Sequence, residues 1–113
     1  MAKLLVMVVR IAGLAAIVVG ALLWSGRPAL LGPHIGIGFA VAIVVFIMAV
    51  MALMRKAIGV GVAGIVLACL LPVVGFMQLP LTFHGLSLVQ VVHVMIGLVA
   101  IGLAERLYSG LHS

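Results

Sequence analysis

Negative charge is almost absent from this sequence. Its 113 residues contain no aspartate and a single glutamate, Glu105. Charged residues of both signs make up 6% of the chain, whereas about 25% is usual in a soluble globular domain. The few cations are scattered among apolar runs and form no basic patch for nucleic acid. The composition therefore excludes a soluble enzyme domain, a nucleic-acid-binding module, a disordered tail and a Ser-His-Asp hydrolase.

Cysteine is nearly absent as well. The single Cys69 excludes an intrachain disulfide framework and any CxxC metal or redox motif. In its apolar run we expect this thiol to behave as a small hydrophobe. A cleaved signal peptide is not expected either, because the first apolar run is too long, carries Arg10 and has no small-residue cleavage site.

Long apolar runs are what the sequence has in abundance, since 68% of its residues are hydrophobic. A helix needs about 20 mostly apolar residues to cross a bilayer. Four runs meet this requirement, at about 4–24, 33–54, 57–77 and 86–107. The links between them are short, which makes neighbouring helices antiparallel. We therefore predict an all-α membrane protein with one domain, an up-down-up-down bundle of four transmembrane helices.

The cations predict how this bundle is oriented. Five of the six are expected on one side of the membrane: Lys3, Arg10, Arg55, Lys56 and Arg106. Arg27 falls on the other side. Because Lys and Arg accumulate on the cytoplasmic side, both termini are predicted to be cytoplasmic, in a multi-pass protein of the inner (cytoplasmic) membrane. We also expect an ion pair between Arg10 and Glu105, near the inner ends of the neighbouring first and fourth helices.

Polar side chains concentrate in the outer half of the predicted bundle. They are His34, Gln78, His84, Gln90 and His93. Polar or ionisable groups within a membrane span are costly and usually functional. The remaining histidine, His112, follows the last apolar run in a tail that we expect to be frayed.

His34 and His93 share a local pattern. Each begins a His-x-x-Ile-Gly segment, which places Gly38 and Gly97 one turn from a histidine on the same helix face. The second and fourth helices are predicted to run in the same direction and to lie diagonally across the bundle. Their histidines can therefore face each other across its axis. Small residues continue both faces, which indicates either close backbone contact or room for a flat ligand.

With these paired histidines and glycines, the sequence resembles the haem-binding four-helix bundles of membrane b-type cytochromes. The resemblance implies one haem b in the outer half of the bilayer, with His34 and His93 as axial ligands and Gly38 and Gly97 making room for the porphyrin. It implies membrane electron transfer with the quinone pool or with a redox partner on the outer side. The stretch 90–106 also resembles an uncharacterised family of small bacterial four-helix membrane proteins, from which no function is carried over.

Other residues suit a haem in this position. Arg27 is the outer cation and the expected partner of the haem propionates. Gln90, one turn before the histidine of the fourth helix, is within reach of a propionate or of a ring histidine. An acceptor that orients a ligating imidazole is expected as well. The candidates are Gln78 and the Ala68 carbonyl, which Pro72 frees from its helical hydrogen bond.

The depths of the two histidines agree under one condition. Pro33 favours the first helical turn for His34, whereas His93 lies about two turns into its helix. The depths match only if the second helix begins near Pro28 and kinks at Pro33, or if the haem is tilted. His84 is the alternative ligand, because it lies closer in depth to His34.

Other functions stay open at this point. An accessory subunit of a respiratory or photosynthetic complex, or a homo-oligomer, would use small residues as packing faces, and Gly59, Gly61 and Gly64 are predicted to pack helices in this way. A small proton-coupled transporter is disfavoured, because the first helix has no carboxylate and Glu105 ends the last one. A copper or other metal site would use the three outer histidines. Hydrogen-bonded core histidines are the remaining alternative.

Overall fold

Four helices make up the described part of the chain. The computed structural model describes residues 2–77 and 88–112. These ranges contain α1 (Ala2–Trp24), α2 (Leu31–Met54), α3 (Ile58–Met77) and α4 (Leu88–His112), with one turn of 3-10 helix, Pro28–Leu30, ahead of α2. Each of the four is long and apolar enough to cross a membrane. The prediction of an all-α protein with four helices of transmembrane length is confirmed at this level.

Both described turns have local causes. After α1, the Ser25 hydroxyl donates to the Leu22 carbonyl at 2.6 Å, and Gly26 adopts a φ of 101°. Glycine takes this left-handed conformation without steric cost. In the turn after α2, the Lys56 amide donates to the Leu53 carbonyl and the Lys56 backbone has a φ of 65°. Both turns lie where the sequence predicts a link.

The fourth helix differs most from its predicted bounds. It continues past residue 107 to His112, so the expectation of a frayed tail there is wrong. Leu107 and Leu111 are buried, so the buried apolar face of α4 continues to the end of the helix although polar residues lie between them. Arg55 Nη1 donates to the Leu111 carbonyl at 2.9 Å. This bond satisfies a carbonyl that the end of a helix otherwise leaves unpaired.

The helices pack as a four-helix bundle in which one diagonal pair, α2 and α4, is in contact. Within the described residues, each helix contacts two neighbours and α2 also contacts α4, whereas α1 and α3 do not meet. The largest fully buried apolar side chains lie in the half that holds the start of α1 and the ends of α2 and α4. They are Val6, Val9, Val45, Met48 and Leu107. The tightest part of the core is therefore in that half.

Gly61 and Gly64 let α3 approach α2 closely. A Cβ added at Gly61 would lie 2.6 Å from Leu53 Cδ2, and one added at Gly64 would lie 2.7 Å from Ala49 Cβ. Such close packing holds membrane helices together, because lipid is as apolar as the side chains. The predicted packing role of these two glycines is confirmed. Gly59 faces open space, so the same prediction for it is wrong.

An ion pair joins α1 to α4. Arg10 Nε and Nη2 donate to the two carboxylate oxygens of Glu105, the second at 2.7 Å, which confirms the predicted pair. This pair, the turn at Arg55 and Lys56, and the last turn of α4 lie at one end of the bundle, which we call the basic end. The other end of α2 carries His34, and we call that end of the bundle the histidine end.

Candidate cofactor site

His34 and His93 lie side by side within the histidine end. Their ring centroids are 6.2 Å apart and their ring planes are inclined at 74°. His34 is the fourth residue of α2 and His93 the sixth of α4. The two side chains thus meet from α2 and α4, as the shared His-x-x-Ile-Gly pattern predicts.

The turn in front of α2 accounts for this approach. The chain is helical from Pro28, and Pro33 falls in the first turn of α2. A proline is tolerated there, because its missing N–H would have no partner within the helix. The helical start near Pro28, one part of the condition for equal depth, is therefore observed as a 3-10 turn, and the kink at Pro33 stays a prediction. The alternative ligand His84 lies outside the described residues.

Each imidazole lies against a glycine of a neighbouring helix. A Cβ added at Gly20 of α1 would be 3.0 Å from His34 Cε1, and one added at Gly75 of α3 would be 3.2 Å from His93 Cε1. A side chain at either position would therefore press on an imidazole. Sequence reasoning did not single out Gly75. The available signal was its place one turn after Leu71, on the buried face of α3.

Both histidines have unmet hydrogen-bonding capacity. The Nδ1 atoms of His34 and His93 are buried, and neither has a hydrogen-bond partner among residues 2–77 and 88–112. Leaving such a polar atom unpaired costs about 1–3 kcal/mol. Neither Nδ1 atom donates to the Ala68 carbonyl, which was one of the two predicted acceptors, and the other, Gln78, lies outside the described residues. Each ring therefore keeps a nitrogen that a ligand or another partner can engage.

A cavity of about 220 Å³ adjoins the histidines and is walled by all four helices. Each helix contributes at least one glycine to this wall: Gly13 and Gly20 from α1, Gly38 from α2, Gly75 from α3 and Gly97 from α4. A Cβ added at Gly38 or Gly97 would meet no described atom within 4 Å, so these positions face open space one turn from the histidines. The rest of the wall is almost entirely apolar and includes the rings of Trp24, Phe39 and Phe76.

The other two predicted site residues lie away from the cavity wall. Gln90 is 1% exposed and precedes His93 by one turn, but it does not line the cavity. Arg27 is exposed in the turn after α1 and does not line the cavity either. Trp24, three residues before Arg27, is part of the wall. Arg27 is therefore close in sequence to a residue of the cavity wall but is not itself part of that wall.

The histidines form a pair and not a larger cluster in the described ranges. No group of three or more His, Cys, Asp or Glu side chains that could hold a metal ion is found in residues 2–77 and 88–112. Cys69 is exposed on α3. The alternative three-histidine metal site includes His84, outside these ranges.

Comparison with known proteins assigns no family to this chain. No family model, curated protein or solved structure matches it. The interpretation of the site therefore rests on the histidine pair, on the glycines around it and on the cavity beside it.

Proposed function

We propose that this protein is an integral membrane electron carrier that binds one haem b between His34 and His93. The observation that carries the proposal is the 6.2 Å separation of the two imidazole centroids. A metal–imidazole bond is about 2.0 Å long, so two imidazoles on opposite sides of one metal ion have centroids roughly 6 Å apart. The histidines are thus spaced as a pair of axial ligands would be.

Two protein ligands suffice for haem, because the porphyrin supplies the other four ligands of the iron. Haem with two imidazole ligands supplies one-electron transfer. His34 and His93 would hold the group, and the open positions at Gly38 and Gly97 leave room beside it. The almost entirely apolar wall of the cavity suits the apolar body of a porphyrin.

Haem binding requires the cavity to widen. Its volume of about 220 Å³ is below the roughly 300–1,000 Å³ of ordinary ligand pockets. Phe39 of α2 and Phe76 of α3 line the cavity, are both exposed, and have ring centroids 5.8 Å apart. Rotation of these two side chains away from the cavity would enlarge it.

The propionates of the haem need cations or water. Arg27 is the cation available in the turn at the histidine end, and its exposed side chain follows a helix whose last residue, Trp24, lines the cavity. An arginine binds a carboxylate through paired hydrogen bonds. Gln90 is the second proposed polar partner, from its buried position one turn before His93.

The proposed arrangement in the membrane is an up-down-up-down bundle with both termini cytoplasmic. Its support is the basic end, where Arg55 meets the last turn of α4 and Arg10 pairs with Glu105, because cations accumulate on the cytoplasmic side. The haem would then lie in the outer half of an inner (cytoplasmic) membrane. From that depth it would exchange electrons with quinone or with a redox partner on the outer side.

A second candidate function is favoured by the ion pair. The Arg10 and Glu105 side chains are 44% and 41% exposed on the surface of membrane-spanning helices. Ionisable groups in membrane spans usually face a protein interior, so a second copy or a larger respiratory or photosynthetic complex would cover this pair. The mass of the detergent-purified particle tests this candidate. A mass of one chain from mild detergent would count against it.

A reduced-minus-oxidised visible spectrum tests the haem proposal directly. The protein, expressed with haem available and purified in detergent, is expected to show the sharp bands of low-spin haem b after dithionite reduction. His34→Ala and His93→Ala should each abolish those bands, because bis-imidazole ligation needs both rings. A colourless wild-type protein, or variants with the wild-type spectrum, would contradict the proposal and leave the accessory-subunit candidate.

Matched glycine variants separate the cavity from general effects on folding. Gly97→Leu places a side chain in the cavity, whereas Gly102→Leu, on the same helix, also meets open space but does not line the cavity. We expect Gly97→Leu to lower the haem content of the purified protein and Gly102→Leu to leave it unchanged. Equal haem content in the two variants would argue against this cavity.

A further inference from the structure

We propose that the basic end binds the phosphate group of an anionic phospholipid, in a groove between the α2–α3 turn and the last turn of α4. The groove encloses about 40 Å³, and its wall includes two arginines, Arg55 and Arg106. We call it the arginine groove. The inference is independent of haem binding, because the arginine groove and the histidines lie at opposite ends of the bundle.

The two guanidinium groups come from different helices and are differently engaged. Arg55 uses Nη1 for the Leu111 carbonyl at 2.9 Å, which anchors its guanidinium beside the groove and leaves further N–H groups to donate. Arg106 is exposed and makes no hydrogen bond or ion pair within the described residues. Guanidinium groups bind phosphate oxygens through paired, charge-assisted hydrogen bonds. Two of them beside one groove therefore suit a phosphodiester.

No acidic side chain competes for these cations. The one acidic residue of the chain is Glu105, and both of its carboxylate oxygens accept hydrogen bonds from Arg10. Arg106 follows Glu105 directly and keeps its charge uncompensated, as does Lys56 beside the groove. Clusters of cations at the end of membrane-spanning helices attract anionic lipid. The internal ion pair thus leaves the remaining charges of the basic end available for an external anion.

A lipid fits the surroundings of the groove better than a free anion does. Ala52, Val60 and Leu107 form its apolar floor. Met54 and Ile58, on either side of the turn, are 79% and 58% exposed. A phospholipid held by its phosphate would lay an acyl chain over such apolar side chains, whereas a free phosphate ion would gain nothing from them.

Thermal unfolding of the purified protein in detergent tests the inference. We expect added phosphatidylglycerol to raise the melting temperature in a saturable way, while phosphatidylcholine and inorganic phosphate do not. Equal shifts with phosphatidylglycerol and phosphatidylcholine would overturn the anion site. An equal shift with inorganic phosphate would overturn the assignment to lipid, and so would the absence of any shift.

Two pairs of variants locate the site. The comparison is made in about 1 M salt, where the Debye length is about 3 Å. Arg106→Gln should raise roughly tenfold the phosphatidylglycerol concentration that gives half of the maximal shift in melting temperature, because a charged hydrogen bond is lost. Lys3→Gln, a basic residue outside the groove, should change it by less than about twofold under this screening. Similar losses in both variants would mean diffuse attraction and would overturn the site.

The second pair of variants changes the shape of the arginine groove and leaves its charge unchanged. Gly110 lines the arginine groove and an added Cβ there meets open space, so Gly110→Leu should fill the groove and abolish the lipid shift. Gly102→Leu, on the same helix but outside the groove, should leave the shift intact. Unchanged lipid binding by Gly110→Leu would overturn the proposal. The visible spectrum should be the same for both variants, because neither position lines the cavity beside the histidines.

Discussion

Glycine has two opposite roles around the histidine pair. At Gly20 and Gly75 the missing side chain allows an imidazole to rest on the backbone of the next helix, with Cε1 at 3.0 Å and 3.2 Å from the position of an added Cβ. At Gly38 and Gly97 the missing side chain leaves open space. The first two glycines therefore fix where the rings lie, and the other two determine how much room remains beside them.

Replacement of a ring-contacting glycine should be costly. We expect Gly20→Ala and Gly75→Ala to be less stable than Gly36→Ala, because all three gain about 1 kcal/mol of helix propensity and only the first two overpack an imidazole, at a cost of about 1–3 kcal/mol. Both should also change the visible spectrum if the histidines bind haem. Denaturant titration in detergent measures the first effect. The control is Gly36→Ala on α2, where an added Cβ meets open space, and equal stability of Gly20→Ala and Gly36→Ala would contradict the ring contact.

At the scale of the helix, α3 is held to α2 by close backbone approach more than by side-chain bulk. Gly64 and Ala49 face each other at a distance that leaves no room for another methyl group. Helix association in lipid depends on such van der Waals packing. Pro72 lies inside α3 and lines the cavity, so one helix combines a tightly packed half with a half that borders open space.

A compensating pair of substitutions tests this contact. Gly64→Ala should lower the free energy of unfolding by about 1–3 kcal/mol, because its Cβ would lie 2.7 Å from Ala49 Cβ. Adding Ala49→Gly should recover part of the loss by removing the opposing methyl group. Gly59→Ala on the same helix should be neutral or stabilising, since its Cβ meets open space. Failure of Ala49→Gly to rescue Gly64→Ala would mean that the destabilisation has another origin.

At the scale of the molecule, the two ends of the bundle differ in chemistry. The basic end holds the ion pair and the arginine groove, and the histidine end holds the cavity. A protein with such an asymmetry is expected to insert in one orientation, because the distribution of Lys and Arg sets topology.

Cysteine labelling tests the orientation with two closely matched substitutions. In a Cys69→Ala background, Ser25→Cys lies in the exposed turn at the histidine end and Ser109→Cys in the exposed last turns of α4. In intact cells, a membrane-impermeant maleimide should label Ser25→Cys, and it should label Ser109→Cys after permeabilisation. The reverse pattern would place the basic end outside and contradict the proposed topology.

The sequence predicts the helix bounds well wherever an apolar run ends at residues that favour a turn. The bounds of α1, α2 and α3 lie within a few residues of the predicted runs, because Gly26 and the Arg55-Lys56 pair interrupt them sharply. The end of α4 was missed, since Arg106 and Ser109 look like the start of a tail while buried Leu111 keeps the helix packed.

The site was predictable in part. The approach of His34 and His93 follows from their shared pattern and from the bundle, both of which are properties of the sequence. The contacts of Gly20 and Gly75 with the rings depend on how α1 and α3 rotate about their own axes, which the even apolarity of these helices does not reveal. The sequence also did not show that Gln90 and Arg27 lie off the cavity wall, because this depends on the rotation of α4 about its axis and on the path of the turn after α1.

The placement of the tight core has a consequence for biogenesis. Val6, Val9, Val45, Met48 and Leu107 pack in the half of the bundle that the cavity does not reach. Under the proposed function, the scaffold would assemble in the membrane before haem is bound, and haem loading would be a separate, later event. Cells starved of haem precursors would then accumulate an inserted, protease-resistant apoprotein that is competent for maturation once supply resumes.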